Sequence, residues 1–91
     1  MRIVKEMQFD QIKATIFINN EKYSIKLDGG GMEQIYKFDS TFDITAKIAE
    51  DILDEKFLES SFDIFRQMKK NIEGSVYRNL NPSRGKVDEI I

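Results

Sequence analysis

The apolar residues of this 91-residue chain change their period once, close to Phe42, and that switch restricts the fold more than any other feature. Ahead of it they alternate. Ile12, Ala14, Ile16 and Ile18 fall on one face, with Lys13, Thr15 and Phe17 on the other. Tyr23, Ile25 and Leu27 alternate with Lys22, Ser24 and Lys26 in the same way. A period of two with one apolar side is the pattern of a half-buried strand. Between the two runs sits Asn19-Asn20-Glu21-Lys22, and asparagine tolerates the left-handed dihedrals of a tight hairpin. A loop at Asn19-Asn20 sets Ile16 opposite Tyr23; a longer loop sets Ile18 opposite Tyr23 and Ile16 opposite Ile25. Both registers keep the apolar sets on one face.

Asp28-Gly29-Gly30-Gly31 breaks the alternation, and Gln34 to Phe38 reads as a third strand with Tyr36 and Phe38 inward. Upstream, Met1, Ile3, Lys5, Met7 and Phe9 alternate more loosely with Arg2, Val4, Glu6 and Gln8, which allows a fourth strand, continuous with the first or separate from it.

After Phe42 the spacing becomes helical. Ile44, Ile48, Ala49, Ile52 and Leu53 predict a first helix over 44–57. Ser60-Ser61-Phe62-Asp63 has the form of a capping box, a hydroxyl followed three positions later by a carboxylate. It predicts a second helix over 61–80, with Phe65, Met68, Ile72, Val76 and Leu80 as its stripe and Asn81-Pro82 as its end. Gly74 inside that helix marks a close backbone contact or a bend. Residues 83–91 are a tail or a short edge strand over 86–91. The expected fold is therefore α+β and a single domain over 1–91: an antiparallel sheet of three to four strands, then two amphipathic helices packed on its one apolar face.

Charge is segregated along the helical half. From Asp39 to Asp63 eight acids (Asp39, Asp43, Glu50, Asp51, Asp54, Glu55, Glu59, Asp63) stand against Lys47 and Lys56. From Ile64 to Lys86 six bases (Arg66, Lys69, Lys70, Arg78, Arg84, Lys86) stand against Glu73 alone. The reversal falls at Ser60-Ser61. Either the acidic helix latches onto the basic one, or the basic face meets a partner.

Composition narrows the chemistry. The chain has no Cys and no His, so disulfides, thiol nucleophiles, thiolate metal sites and imidazole catalysis are excluded. No apolar run is long enough to span a membrane, and Lys5 and Glu6 follow Met1-Arg2-Ile3-Val4 too early for a signal peptide, so a cytoplasmic protein is expected. The glycine triplet lacks the Lys-Ser/Thr sequel of a phosphate loop and lies between strands; it reads as a hairpin tip that can touch a partner. Glu50, Asp51, Asp54 and Glu55 read as a solvated face, since acid–base or metal use needs a buried site, and no cofactor or metal is expected.

Arg66, Lys69, Lys70, Tyr77 and Arg78, with Gly29, Gly30 and Gly31 as a mobile edge, are the candidate binding residues. They point to a small non-enzymatic binding or regulatory protein acting on a macromolecular partner. Small chains encoded by phages or mobile elements, such as inhibitors of host defence systems, look broadly like this one, although no motif here is specific to them. A protein partner is the first expectation and a nucleic-acid-binding domain using the same basic face is the alternative. Phe57, Leu58, Phe62, Ile64 and Phe65 crowd the junction of the helices, as core, as the seam of a homodimer or as a hydrophobic docking patch.

Overall fold

The structure, a computed structural model, describes residues 1–39 and 43–80. Four strands, β1 (Arg2–Phe9), β2 (Ile12–Asn19), β3 (Lys22–Gly29) and β4 (Met32–Lys37), form an antiparallel meander in the order of the sequence. Two helices follow, α1 (Ala46–Ile52) and α2 (Glu55–Leu80). The expected α+β arrangement is the observed one. The short strand expected over 86–91 lies outside the described residues.

Each hairpin closes through two residues. Asn19 pairs with Lys22, Ile18 with Tyr23 and Ile16 with Ile25, so the loop is Asn20-Glu21 and the second of the two registers is the real one. Asn20 and Glu21 both have positive φ, 52° and 65°, as do Gly30 and Gly31 between β3 and β4, 55° and 80°. Two consecutive left-handed residues match the twist of the flanking strands. Glycine adopts them freely; Glu21 does so against its Cβ.

The loose alternation of β1 has a local cause. The register shifts between Ile3 and Lys5, leaving Val4 as a bulge, so that Ile3 opposes Phe17 while Lys5 opposes Ile16. The bulge turns Ile3 to the outer face and Lys5 to the inner one. There the Lys5 ammonium meets the Glu50 carboxylate of α1 at 2.6 Å.

The inner face is the core. Ile12, Ala14, Ile16, Ile25 and Leu27 are buried with Ala49 and Leu53 from the α1 region and Phe65 from α2. Fully burying each of the larger aliphatic side chains contributes about 1.5–3 kcal/mol, which makes this face the main favourable term. The helix boundaries differ from those the sequence predicts. Thr45 caps α1 by accepting from the Ile48 amide at 3.2 Å, and α1 stops at Ile52 rather than 57. Asp54 then caps α2, its Oδ1 accepting from the Phe57 amide at 2.8 Å. Ile48, placed on the buried stripe by its spacing, is exposed, and Ala49 takes its place against the sheet.

The predicted cap at Ser60-Ser61 does not exist. Ser61 lies inside α2, fully buried, and its hydroxyl donates to the Phe57 carbonyl at 2.8 Å within the same helix. Its own carbonyl accepts from Gln34 Nε2 at 3.0 Å, and Gln34 Oε1 accepts from the Tyr36 hydroxyl at 2.7 Å. Gln34 is thus a polar residue in an inward row, satisfied on both ends of its amide.

Two outcomes follow for stability. Glu21→Gly relieves the left-handed strain and is expected to raise the urea midpoint by an amount equivalent to about 0.5–1 kcal/mol. Gln34→Ala strips the link between β4 and α2 and is expected to cost about 1–3 kcal/mol in the same measurement. An unchanged midpoint for Gln34→Ala refutes the role given to that link.

Candidate functional site

Helix α2 is one rod of 26 residues, about 39 Å long by the helical rise. Its first half crosses the sheet. Phe57 meets the Tyr36 ring edge-on, with centroids 5.3 Å apart, and Leu58, Phe62, Phe65 and Met68 pack on the core. Phe65 lies over Gly29, where an added Cβ would come within 3.5 Å of its ring. Beyond Met68 none of the helix belongs to the core cluster. The rod continues past the end of the sheet that carries Gln11 and the Gly29–Gly31 turn, and the molecule measures 55 × 28 × 20 Å as a result.

The apolar stripe does not end where the sheet ends. Ile72, Val76 and Leu80 continue it with 54%, 45% and 74% of their surfaces exposed, and Tyr77 lies beside them at 55%. Together with Glu73 these side chains line a shallow groove along the rod. The crowded aromatic junction, by contrast, is mostly ordinary packing: Phe65 is buried, Phe57, Leu58 and Phe62 are half-buried, and Ile64 is the exposed member.

Where α2 leaves the sheet, a cleft of about 240 Å³ opens between the helix and the two turns. Ile12, Met32, Phe62 and Phe65 form its floor, with Gln11, Gly29, Gly30, Arg66 and Lys69 around it. The structure therefore brings together Arg66, Lys69, Gly29 and Gly30, four of the residues singled out from the sequence. Gly31 lines an adjoining depression with Asp28 and Glu33. Lys70 and Arg78 lie elsewhere on the rod and Tyr77 belongs to the groove. The spacing places Ile72, Val76 and Leu80 on the stripe that packs against the sheet, and the structure leaves them exposed. Their exposure was hidden because an amphipathic pattern does not say how far the opposing surface extends.

The electrostatics decide the question posed by the charge reversal. The acids of α1 are engaged away from the basic stripe, Glu50 with Lys5 and Asp51 with Lys47. Arg66 pairs with Asp63 one turn earlier on its own helix. Among the described residues Lys69, Lys70 and Arg78 form no ion pair. Among the described residues no acidic helix is latched beside them. On the outer face of the sheet, Glu6 lies 2.7 Å from Lys13, and this hydrogen bond and the carboxylate's charge hold the Lys13 ammonium above its ordinary pKa.

The cleft offers Arg66, Lys69 and the Gln11 carboxamide over aliphatic and aromatic side chains, whereas the one charged residue lining the groove is Glu73. Among the described residues no three acids are grouped to hold a metal ion, and no helix is long and apolar enough to cross a membrane. Comparison with protein-family models, curated proteins and solved structures finds no match to this chain.

Gly74 faces open space. A Cβ there would meet only the Arg78 guanidinium, at 3.6 Å, so a close backbone contact does not account for it. Gly74→Ala is expected to stabilise the protein by about 1 kcal/mol in a urea titration.

Proposed function

We propose that this protein is a small non-enzymatic binding module that acts by docking the free half of α2, with the cleft at its base, on a protein partner. The observation that carries the reading is the row Ile72, Val76 and Leu80, exposed on a rod that has left the sheet. Aliphatic side chains kept in water at a helix surface mark an interface more often than they mark chance. A helix presenting anchors four residues apart is a common way for one protein to enter a groove on another.

The flanking charges suggest the partner's polarity. Arg66 and Lys69 stand at the cleft end of the row, Lys70 and Arg78 lie elsewhere on the rod, and Glu73 is the one acid among residues 64–80, so an acidic surface fits. The same cations supported a nucleic-acid reading. Phosphates reward Lys and Arg but gain nothing from Ile, Val and Leu, so the aliphatic row favours protein.

The test is affinity capture from the native host with three proteins: wild type, Ile72→Asp/Val76→Asp, and Arg66→Glu/Lys69→Glu/Lys70→Glu. All three are expected to keep the wild-type circular dichroism, because the altered side chains lie outside the buried core. The same captured protein should be lost with both variants. Capture that survives the aspartates but fails with the glutamates, and that falls steeply with salt, assigns the surface to nucleic acid instead.

A further inference from the structure

Asp28 is followed by Gly29, Gly30 and Gly31, and the turn between β3 and β4 uses only the last two. Gly30 and Gly31 have the positive φ of that turn, whereas the φ of Gly29 lies outside the left-handed region. Gly29 pairs with Met32 as the last residue of β3, and a side chain is allowed there. An added Cβ would stand 3.5 Å from Ile12 and 3.5 Å from the Phe65 ring, which is ordinary contact. Glycine weakens a strand, and one that neither dihedral nor space requires is the mark of a place where something approaches the backbone. Ile12 and Phe65 belong to the floor of the cleft, so the place kept open is the cleft.

Size and charge define what fits. At about 240 Å³ the cleft is smaller than the roughly 300–1,000 Å³ of sites that enclose a drug-sized ligand, and suits a group the size of one amino-acid residue. Its floor is apolar and none of its described lining residues is an acid. Of its two cations, Arg66 is paired with Asp63, while Lys69 makes no ion pair among the described residues. One uncompensated positive charge matches a monoanion better than a phosphate dianion. The depression that adjoins the cleft at the turn is lined by Asp28 and Glu33, which holds an anion to the helix side.

An apolar side chain and a carboxylate on the same residue occur at one place in a protein, its C-terminus. An acidic residue inside a chain has its carboxylate in place of an apolar side chain. We propose that the cleft captures the C-terminal residue of the protein partner, its side chain on Ile12 and Phe65 and its α-carboxylate at Lys69. The Gln11 carboxamide, both donor and acceptor, serves the peptide group that precedes that residue. The inference rests on the partner being a protein, as proposed above, and adds which part of it enters the cleft.

The experiment is an NMR titration of the isotope-labelled full chain with acetyl-Gly-Gly-Phe bearing a free carboxylate. The amides of Ile12, Gly29, Gly30 and Phe65 are expected to shift at millimolar peptide. The same peptide ending in a carboxamide should bind about tenfold more weakly. Lys69 is exposed, so Lys69→Gln keeps the fold and is expected to weaken the free-acid peptide by about tenfold. Gly29→Val fills the cleft and should abolish the shifts while β2 amides stay in place. No shift with the free acid overturns the proposal, and so does equal binding of the carboxamide or an unchanged affinity in Lys69→Gln. Phenylacetate binding as tightly as the peptide also overturns it and gives the cleft to a free small acid. The peptide probes the cleft alone, so failure here leaves docking through Ile72 and Val76 to be judged by the capture result for Ile72→Asp/Val76→Asp.

Discussion

The fold depends on how α2 sits on the inner face of the sheet. That face is covered by α1 and the first half of α2, and Ser61 of α2 is fully enclosed. A larger residue there would find no room without moving the rod. The buried position brings a polar requirement, since a hydroxyl without a partner in the core is costly. It is met inside the helix by the Phe57 carbonyl, while Gln34 ties the Ser61 carbonyl to β4. Packing and hydrogen bonding thus fix the same point, and the direction in which α2 leaves the sheet follows from it.

The charge reversal acquires a different physical meaning once α2 is continuous. Glu55, Glu59 and Asp63 occupy its early turns and Arg78 its last, with Arg66, Lys69 and Lys70 between. Acids near the start and bases near the end of a helix complement its macrodipole, a benefit of some 0.3–1 kcal/mol for a charge in a terminal turn. Part of the polarity that reads as a latch between two helices lies within one, since Glu55, Glu59 and Asp63 share α2 with the bases. The cations of the free half have no acid partner from α1, because Glu50 is drawn to Lys5 by the bulge in β1 and Asp51 pairs locally.

Most of the sheet was legible in the sequence because a period of two has a single structural meaning. Ile12, Ala14, Ile16, Ile25 and Leu27 point inward as their alternation requires, and Gly30-Gly31 turns the chain where glycine is needed. What misled was competition between local signals. Ser60-Ser61-Phe62-Asp63 has the form of a cap, but Phe57, Leu58, Phe62 and Phe65 need one unbroken stripe to cover the sheet, and tertiary packing prevailed. Asp54 was an equally good cap residue that lay inside an apparently helical run. In β1, a bulge of one residue blurred an alternation that pairing with β2 restores. Of the candidate site, Arg66, Lys69, Gly29 and Gly30 do converge on one cleft. The row at Ile72, Val76 and Leu80 was read as core, because spacing reveals that a face is apolar but not what lies opposite it.

That last distinction bears on function. A stripe that served only the core could have ended at Met68, where contact with the core ends. Three further aliphatic residues in register, at 72, 76 and 80, keep one apolar line running from the cleft floor at Phe62 and Phe65 out along the rod. Exposing them brings no gain to the isolated sheet and helix, and it favours association with whatever apolar surface is at hand. The cations beside the line limit that choice by repelling basic surfaces and attracting acidic ones. On the proposed reading, cleft and groove follow one another along the same helix and would act as one binding face, its apolar line supplying affinity and its charges supplying selectivity.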